Sequence, residues 1–381
     1  MNPKAILTRK PGRRSGLQFM PLLLAACSGG GSNDAAIDGQ DSSSMDGSVD
    51  SGISTGTGTD TSGGTDAGTY TSADVGTENG TDAGTGAETG DGTDTGTRPS
   101  CAGLSATCGP SGNESCCASL LVPGGTFNRT NSGNDHPATV SDYYLDKYEI
   151  TVGRFRVFVN AGMGTQSNPP AAGAGAHPLI TGSGWNPAWN ANLPADPAAL
   201  NAARTRSLPL STWTATPGDN ENRPQNYLDW YTAFAFCAWD GGRMPTDAEW
   251  NYATAGGSEQ RKHPWGAADA DYTMASYDCM GDGVSGCSLT DFILVGTKPA
   301  GNGRWGHADL AGNVWEWTLD CFGEDQMPCN DCANLLDPTF RIMEGGSAGN
   351  PDTYLGPGDY ARLTPGQTNA EIGARCARST P

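Results

Sequence analysis

Between Ser28 and Ser100 the chain consists almost wholly of Gly, Ser, Thr and Asp, with Arg98 its only basic residue. "GTDAGT" begins at Gly64 and again at Gly80, and "GTDTGT" at Gly92. Such a stretch has too little apolar surface to offset the entropy of ordering it, so residues 27–100 are expected to form a disordered tether. A Gly/Ser-type chain of about 70 residues spans roughly 45 Å. A calcium-binding Gly-Asp repeat is the alternative, but the periodic apolar residue of such repeats is missing. Whatever folds must therefore come from the rest.

The residues ahead of the tether read as an address. Lys4, Arg9, Lys10, Arg13 and Arg14 form a basic head without acids, and a short apolar run ends "LLLAAC" at Cys27. The run is too short to span a membrane as a helix, which needs about 20 apolar residues. Residues 1–26 fit a signal peptide. Leu24-Ala25-Ala26-Cys27 resembles the bacterial lipoprotein box, with Cys27 as the lipidated N-terminus; the alternative is an ordinary signal with a chance cysteine. Arg13-Arg14 only weakly suggests twin-arginine export. The expectation is a lipid-anchored protein of the bacterial cell envelope or cell surface. Removing five positive charges from a net charge of −20 leaves about −25. No basic patch points to nucleic acid.

From Cys101 onward come all ten tryptophans and eleven of the twelve cysteines. An exported chain meets an oxidising compartment, so disulfides are the default. Residues 101–118 form a Cys-rich leader in which Cys101, Cys108, Cys116 and Cys117 are expected to make two local bridges, their pairing left open. Zinc is the alternative, but the spacing matches no standard site. Cys279 and Cys287 bracket one loop and Cys329 and Cys332 another; Cys321 is the candidate for the unpaired thiol. Three helices are legible. One runs from Thr151 towards Gly162 with Val152, Phe155 and Val159 on one face, and one runs from Asp229 to Gly241-Gly242. The third opens at Thr246, where Glu249 completes a capping box, and closes at Gly256-Gly257. Few regular elements among Gly/Pro/Asn loops describe a loop-rich α+β domain over residues 119–381.

Seven motifs then follow in order: "LVPGGTF" at Leu121, "YYLDKYEITVGRFRVFV" at Tyr143, "FCAWDGGRMPTDAEWNYATAGG" at Phe236, "HPWG" at His263, "GHADLAGNVWEWTLD" at Gly306, "EGGSAGN" at Glu344 and "IGARCARS" at Ile372. Together they resemble the sulfatase-modifying factor family, whose type member is the formylglycine-generating enzyme. The resemblance implies a large variant of the C-type-lectin-like fold and a disulfide between Cys237 and Cys376. It also implies a structural calcium ion held by the side chains of Asp309 and Glu316 and the carbonyls of Gly312 and Val314. Calcium takes six to eight hard oxygen ligands. If Val314 to Trp317 is extended, Trp315 and Trp317 share the core face and Glu316 points the other way, free to bind. The alternative is that Glu316 only hydrogen-bonds loop amides.

Family chemistry rests on two cysteines behind Gly345-Gly346-Ser347 that hold Cu(I) and oxidise a substrate cysteine. Here those positions are Asn350 and Leu355, which supply no thiolate, and no copper is expected. Other branches of the superfamily hold iron in a His-x3-His-x-Glu cluster, but His136, His177, His263 and His307 stand far apart. Three readings stay open. The first is a non-catalytic tethered module binding an envelope or extracellular protein, peptide or glycan; the second is a redox enzyme with relocated residues; the third is a structural lipoprotein. Trp185, Trp189 and Trp213, in an insert from Gly162 to Asn220, are read as packed anchors or as the contact for a private partner.

Overall fold

The computed structural model describes residues 6–9, 93–94, 98–131, 136–205 and 208–380. The chain divides into two units, one of Met1–Gln18 and Thr89–Pro381 and one of Phe19–Glu88. The second, with Cys27, the end of the expected signal peptide and most of the tether, lies outside the described residues.

Four helices are described: α1 (Val152–Asn160), α2 (Pro197–Thr205), α3 (Trp230–Trp239) and α4 (Asp247–Thr254). The three read from sequence start where a side chain can satisfy an orphan amide. Thr151 accepts from Arg154 N at 3.2 Å, and Asp229 from Thr232 N at 2.9 Å. At α4 both halves of the capping box form: Thr246 Oγ1 accepts from Glu249 N, and Glu249 Oε2 accepts from Thr246 N. The glycines that close α1 and α3, Gly162 and Gly241, have φ of +68° and +75°, which a side chain would resist. α2, inside the insert, was not anticipated.

The strands are short. β1 (Ile6–Arg9), β10 (Asp359–Leu363), β9 (Arg341–Glu344), β7 (Trp315–Cys321) and β11 (Ile372–Gly373) lie in that order in one sheet. β12 (Ala377–Ser379), β6 (Tyr143–Asp146), β3 (Ser119–Val122) and β2 (Thr93–Asp94) form a second, and β4 (Gly125–Asn128), β5 (Pro137–Val140) and β8 (Cys329–Asn330) a third. β11 pairs with β7, and β8 with β5, in parallel; the other pairings are antiparallel.

Two segments ahead of Cys101 also carry described structure. Ile6–Arg9, expected in the basic head of the signal, pairs as a strand with β10, whose edge carbonyls and amides accept an extended segment. The folded part also begins before Cys101. Arg98 and Ser100 are buried, Ser100 N donates to Asp240 Oδ1 at 3.0 Å, and Arg154 Nε donates to Ser100 Oγ at 3.0 Å.

The largest core joins α1, α3, β7 and the insert. Trp185 and Trp213 are buried, and Trp189 meets Trp230 edge-on with centroids 5.1 Å apart. The three insert tryptophans are thus anchors, Trp185 and Trp189 pinning a long loop to α3 and Trp213 pinning it to Phe155 of α1, giving large contact area from side chains with few rotors. Among the described residues five disulfides are present: Cys101–Cys117, Cys108–Cys116, Cys237–Cys376, Cys279–Cys287 and Cys329–Cys332. Cys321 is free and buried. Bridging Cys237 of α3 to Cys376 across 139 residues contributes about 5 kcal/mol in the chain-entropy account.

α4 carries an acid whose ionisation supports the fold. Burial alone would raise the Glu249 carboxyl, but the Arg243 guanidinium at 2.5 Å and the His177 ring outweigh it and hold the pKa down at about 2 against an ordinary 4.5. A lowered folded-state pKa gives stability that is present above the unfolded value and lost as pH falls through the folded one. Between about pH 4.5 and pH 2 the unfolding free energy is expected to drop, and Glu249→Gln to flatten that part of a urea-denaturation pH series.

Candidate functional site

The segment before β7 turns sharply, with Asp309, Gly312 and Asn313 at φ of +55°, +82° and +60°. Gly312 is required there, because a Cβ would lie 2.1 Å from the Ser276 carbonyl oxygen. Gly312 N donates to Gly345 O at 2.8 Å, so this corner is tied directly to the Gly-Gly-Ser loop.

Beyond the corner, Trp315 and Trp317 enter the main core as alternation requires, and Trp317 Nε1 donates to Leu228 O at 2.9 Å. Glu316 points away from them but is not free, contrary to the sequence expectation. Its Oε1 accepts from Arg375 Nη2 at 2.6 Å, and its Oε2 accepts from Arg375 Nε at 2.6 Å and Trp250 Nε1 at 2.9 Å. Neither partner is a loop amide, so the alternative reading also missed them; both are far away in sequence.

Two more carboxyls stand near this pair. Asp309 Oδ2 accepts from Gly296 N at 2.6 Å. Glu149, which the sequence reading passed over, accepts from Asn313 Nδ2 at 2.7 Å and from Val314 N at 3.3 Å. Its one sequence signal is a lone acid between Tyr148 and Ile150, both fully buried. Three buried acids thus face the single Arg375 guanidinium. Burial pushes Asp309 up to about 6, and burial, then the charges of Asp309 and Glu316, hold Glu149 well above the usual carboxylate range. Among the described residues no three His, Cys, Asp or Glu side chains are placed to hold a metal. A cation here would need backbone carbonyls beside the carboxylates. The donor set Asp309, Glu316 and the Gly312 and Val314 carbonyls is all hard oxygen, and the excess of buried acid over base fits a dication.

The Gly-Gly-Ser loop leaves β9 through Gly345 and Gly346, at φ of +100° and +74°. Ser347 Oγ donates to Asn350 Oδ1 at 2.7 Å and also bonds Glu371, whose carboxyl burial pushes up. Asn350 is 1% exposed and its Nδ2 has no hydrogen-bond partner. Leu355, also 1% exposed, packs with Ala275, Tyr277 and Ala311, and Trp265 lies against the same cluster. The loop is pinned from behind by Cys279 N donating to Ala348 O at 2.7 Å and Asp278 N to Asn350 O at 2.8 Å. Cys279 comes close to the loop but is tied to Cys287. Among the described residues the one free thiol is Cys321, buried, with its pKa raised by desolvation. No pair of free thiols stands anywhere in the described chain.

The histidines are separate from one another. His307 is fully buried, and burial and then Arg375 push it down to about 3. His177 faces Glu249 at 3.5 Å and His136 faces Asp325 at 3.4 Å. His263 stacks on Trp265 with centroids 4.8 Å apart.

Residues 105–380 match the family model of the sulfatase-modifying factor enzyme 1-like domain. The chain belongs to the sulfatase-modifying factor family. Its fold is that family's formylglycine-generating-enzyme-like variant of the C-type-lectin-like fold, α+β with little regular structure. The formylglycine-generating enzyme of Thermomonospora curvata is 26% identical over 299 residues, covering 68% of this chain and 92% of that protein. The hercynine oxygenase of Mycolicibacterium smegmatis is 28% identical over 218 residues, 52% of this chain and 45% of that one. PvdO of Pseudomonas aeruginosa aligns in structure at a TM-score of 0.47 and 20% identity, over 70% of this chain and 95% of its own.

If Leu355 is core and Glu316 a buried ion partner, both substitutions will be costly. Leu355→Ala is expected to lower the unfolding free energy by about 2–4 kcal/mol, and Glu316→Gln by about 3–5 kcal/mol through the stranded guanidinium. Urea denaturation measures both; a side chain lining an open groove would lose less than about 0.5 kcal/mol.

Proposed function

We propose that this family member is an exported, lipid-anchored module that binds an envelope or extracellular partner, or braces the envelope, and lacks the copper chemistry of formylglycine generation. One observation supports the reading: of Asn350 and Leu355, which the resemblance puts at the two thiolate positions, Leu355 is sealed in an apolar cluster. An isobutyl group has no lone pair for a metal, and an amide is a poor substitute for a soft thiolate. The other cysteines do not compensate, because ten are paired and Cys321 is buried beside different elements. Residues 1–26 would direct export, with Ile6–Arg9, an edge strand of its sheet, leaving with the signal; Cys27 would carry the lipid, and the acidic stretch to about residue 97 would hold the domain away from the bilayer.

The competing reading is an oxidoreductase that acts on a protein cysteine or another thiol with relocated residues. The relatives named above favour it, as does the polar cluster of Ser347, Asn350 and Glu371 retained in the loop. One assay separates the two. The chain from Thr89, incubated with a Cys-x-Pro-x-Arg peptide, copper and oxygen, is expected to yield no aldehyde by mass spectrometry. Copper-dependent aldehyde would overturn the non-catalytic reading.

We also assign the acidic corner to a structural calcium ion. Asp309 and Glu316 would bind through carboxylates, Gly312 and Val314 through carbonyls, and the ion would offset the excess buried negative charge. A ligand that binds only the folded state raises its stability in proportion to ln(1 + [L]/Kd). Millimolar calcium is therefore expected to raise the melting temperature of the native chain, and Asp309→Asn to remove most of that gain. An unchanged melting temperature on adding calcium after chelation would refute the assignment.

A further inference from the structure

β10 pairs on one side with β9 and on the other with β1, the outermost strand of its sheet. Residues 10–92 separate β1 from the next strand in the chain, β2, so no short hairpin turn dictates this pairing. β10 itself is held from both ends. Gly358, ahead of it, lies so close to Thr130 that a Cβ would stand 2.3 Å from the Thr130 Cα. Beyond it, Pro365 O accepts from Trp230 N of α3 at 2.9 Å. Ala361 and Leu363 belong to the main core, as does Met343 of β9, which stands opposite Ala361.

The strand seated on this edge is antiparallel, with Ile6 opposite Arg362, Leu7 opposite Ala361, Thr8 opposite Tyr360 and Arg9 opposite Asp359. Open edges in natural proteins are blunted by proline, by a bulge or by an outward cation. β10 carries none of these. Its sequence is Asp-Tyr-Ala-Arg-Leu, and its register with β9 runs unbroken from Tyr360 to Leu363. Its one cation, Arg362, is laid over the Phe322 ring at 3.8 Å. If export removes residues 1–26, the amides and carbonyls that β10 turns towards β1 are open to another strand. Every cluster of buried apolar residues among the described ones draws on Cys108 and later, so a chain starting at Cys27 keeps those clusters whole. Strand addition takes its affinity from main-chain hydrogen bonds and its specificity from alternate side chains.

We infer that the β10 edge docks an extended segment of a partner protein, added antiparallel in the place β1 holds. That segment carries an aliphatic residue opposite Ala361 and a basic one opposite Asp359. Residues directly opposite on antiparallel strands share a face. The aliphatic residue therefore extends the face of Ala361 and Met343, and the base meets a carboxylate on a chain of net charge −20. The inference rests on the reading that the signal is cut at Cys27. That reading fails separately, if mass spectrometry of the exported chain finds residues 1–26 still attached.

The test titrates the chain from Cys27, carrying Cys27→Ser so that no lipid is attached, with the peptide Lys-Ala-Ile-Leu-Thr-Arg-Lys-Pro, residues 4–11. Calorimetry reads the affinity, and residue-level hydrogen exchange reads the place. Saturable binding at submillimolar concentration is expected, with new protection of amides within residues 359–363. Of two successive amides in a strand one faces the neighbouring strand, so Leu7→Pro with Thr8→Pro in the peptide removes a required donor. That double change should weaken binding at least about tenfold. Arg9→Glu in the peptide sets a like charge opposite Asp359 and should weaken binding at least about threefold. The site is refuted if the native peptide does not saturate, if the double-proline peptide binds as tightly, or if protection falls elsewhere. Equal binding of the Arg9→Glu peptide would overturn the basic preference. Protection of residues 359–363 that grows with protein concentration in the absence of peptide would give the edge to a second copy of this chain instead.

Discussion

The pairing of Arg375 with Glu316 sits at the centre of this structure. The guanidinium has five N–H groups in a rigid plane. Two go to Glu316, and the rest reach the carbonyls of Asp146, Lys147, Ala308 and Asp309 at 3.0–3.3 Å. One side chain therefore holds the end of β6, the turn before β7, β7 itself and, through the Trp250 bond to Glu316, α4. The next residue, Cys376, is bonded to α3. A domain with so few ladder hydrogen bonds needs such a point, because its loops carry backbone polar groups that no sheet or helix satisfies. The pair is charged and fully enclosed, so its geometry is fixed by the cost of leaving either partner alone.

Local signals in the sequence were faithful where the interaction they describe is local. Thr151, Asp229 and Thr246 cap the helices they were expected to cap, and Cys279–Cys287 and Cys329–Cys332 close short loops. Relations across long separations were not readable from spacing. Nothing near Glu316 announces Arg375, 59 residues on, and nothing near Arg154 announces Ser100, which moved the start of the folded part. Glu149 was missed because a single acid among core residues has no pattern. α2 escaped for a related reason: a Pro- and Asn-rich loop has no periodicity to read, and its order comes from packing on the helices beside it, whereas the insert tryptophans were legible as anchors.

Scaffold and chemistry separate cleanly in this chain. The motifs that mark the family map onto load points of the fold: the capping box of α4, the left-handed turn at Gly312, the Trp315–Trp317 alternation and the Arg375-Cys376 step. Asn350 and Leu355, by contrast, lie in one loop held by backbone hydrogen bonds, where side chains can change without moving the frame. Leu355 leaves no hole there, since the cluster of Ala275, Tyr277 and Ala311 fits an aliphatic side chain.

The late position of Arg375 and Cys376 has a consequence for how the chain reaches this state. Synthesis is vectorial, and a fold closed by contacts between α3, β7 and residues 375–376 stays open until those residues have left the ribosome. Without Arg375 the buried carboxyls of Glu149, Asp309 and Glu316 would lack the cation they face, and without Cys376 the cysteine of α3 would lack its partner 139 residues away, so two adjacent residues close both contacts at one step of the backbone.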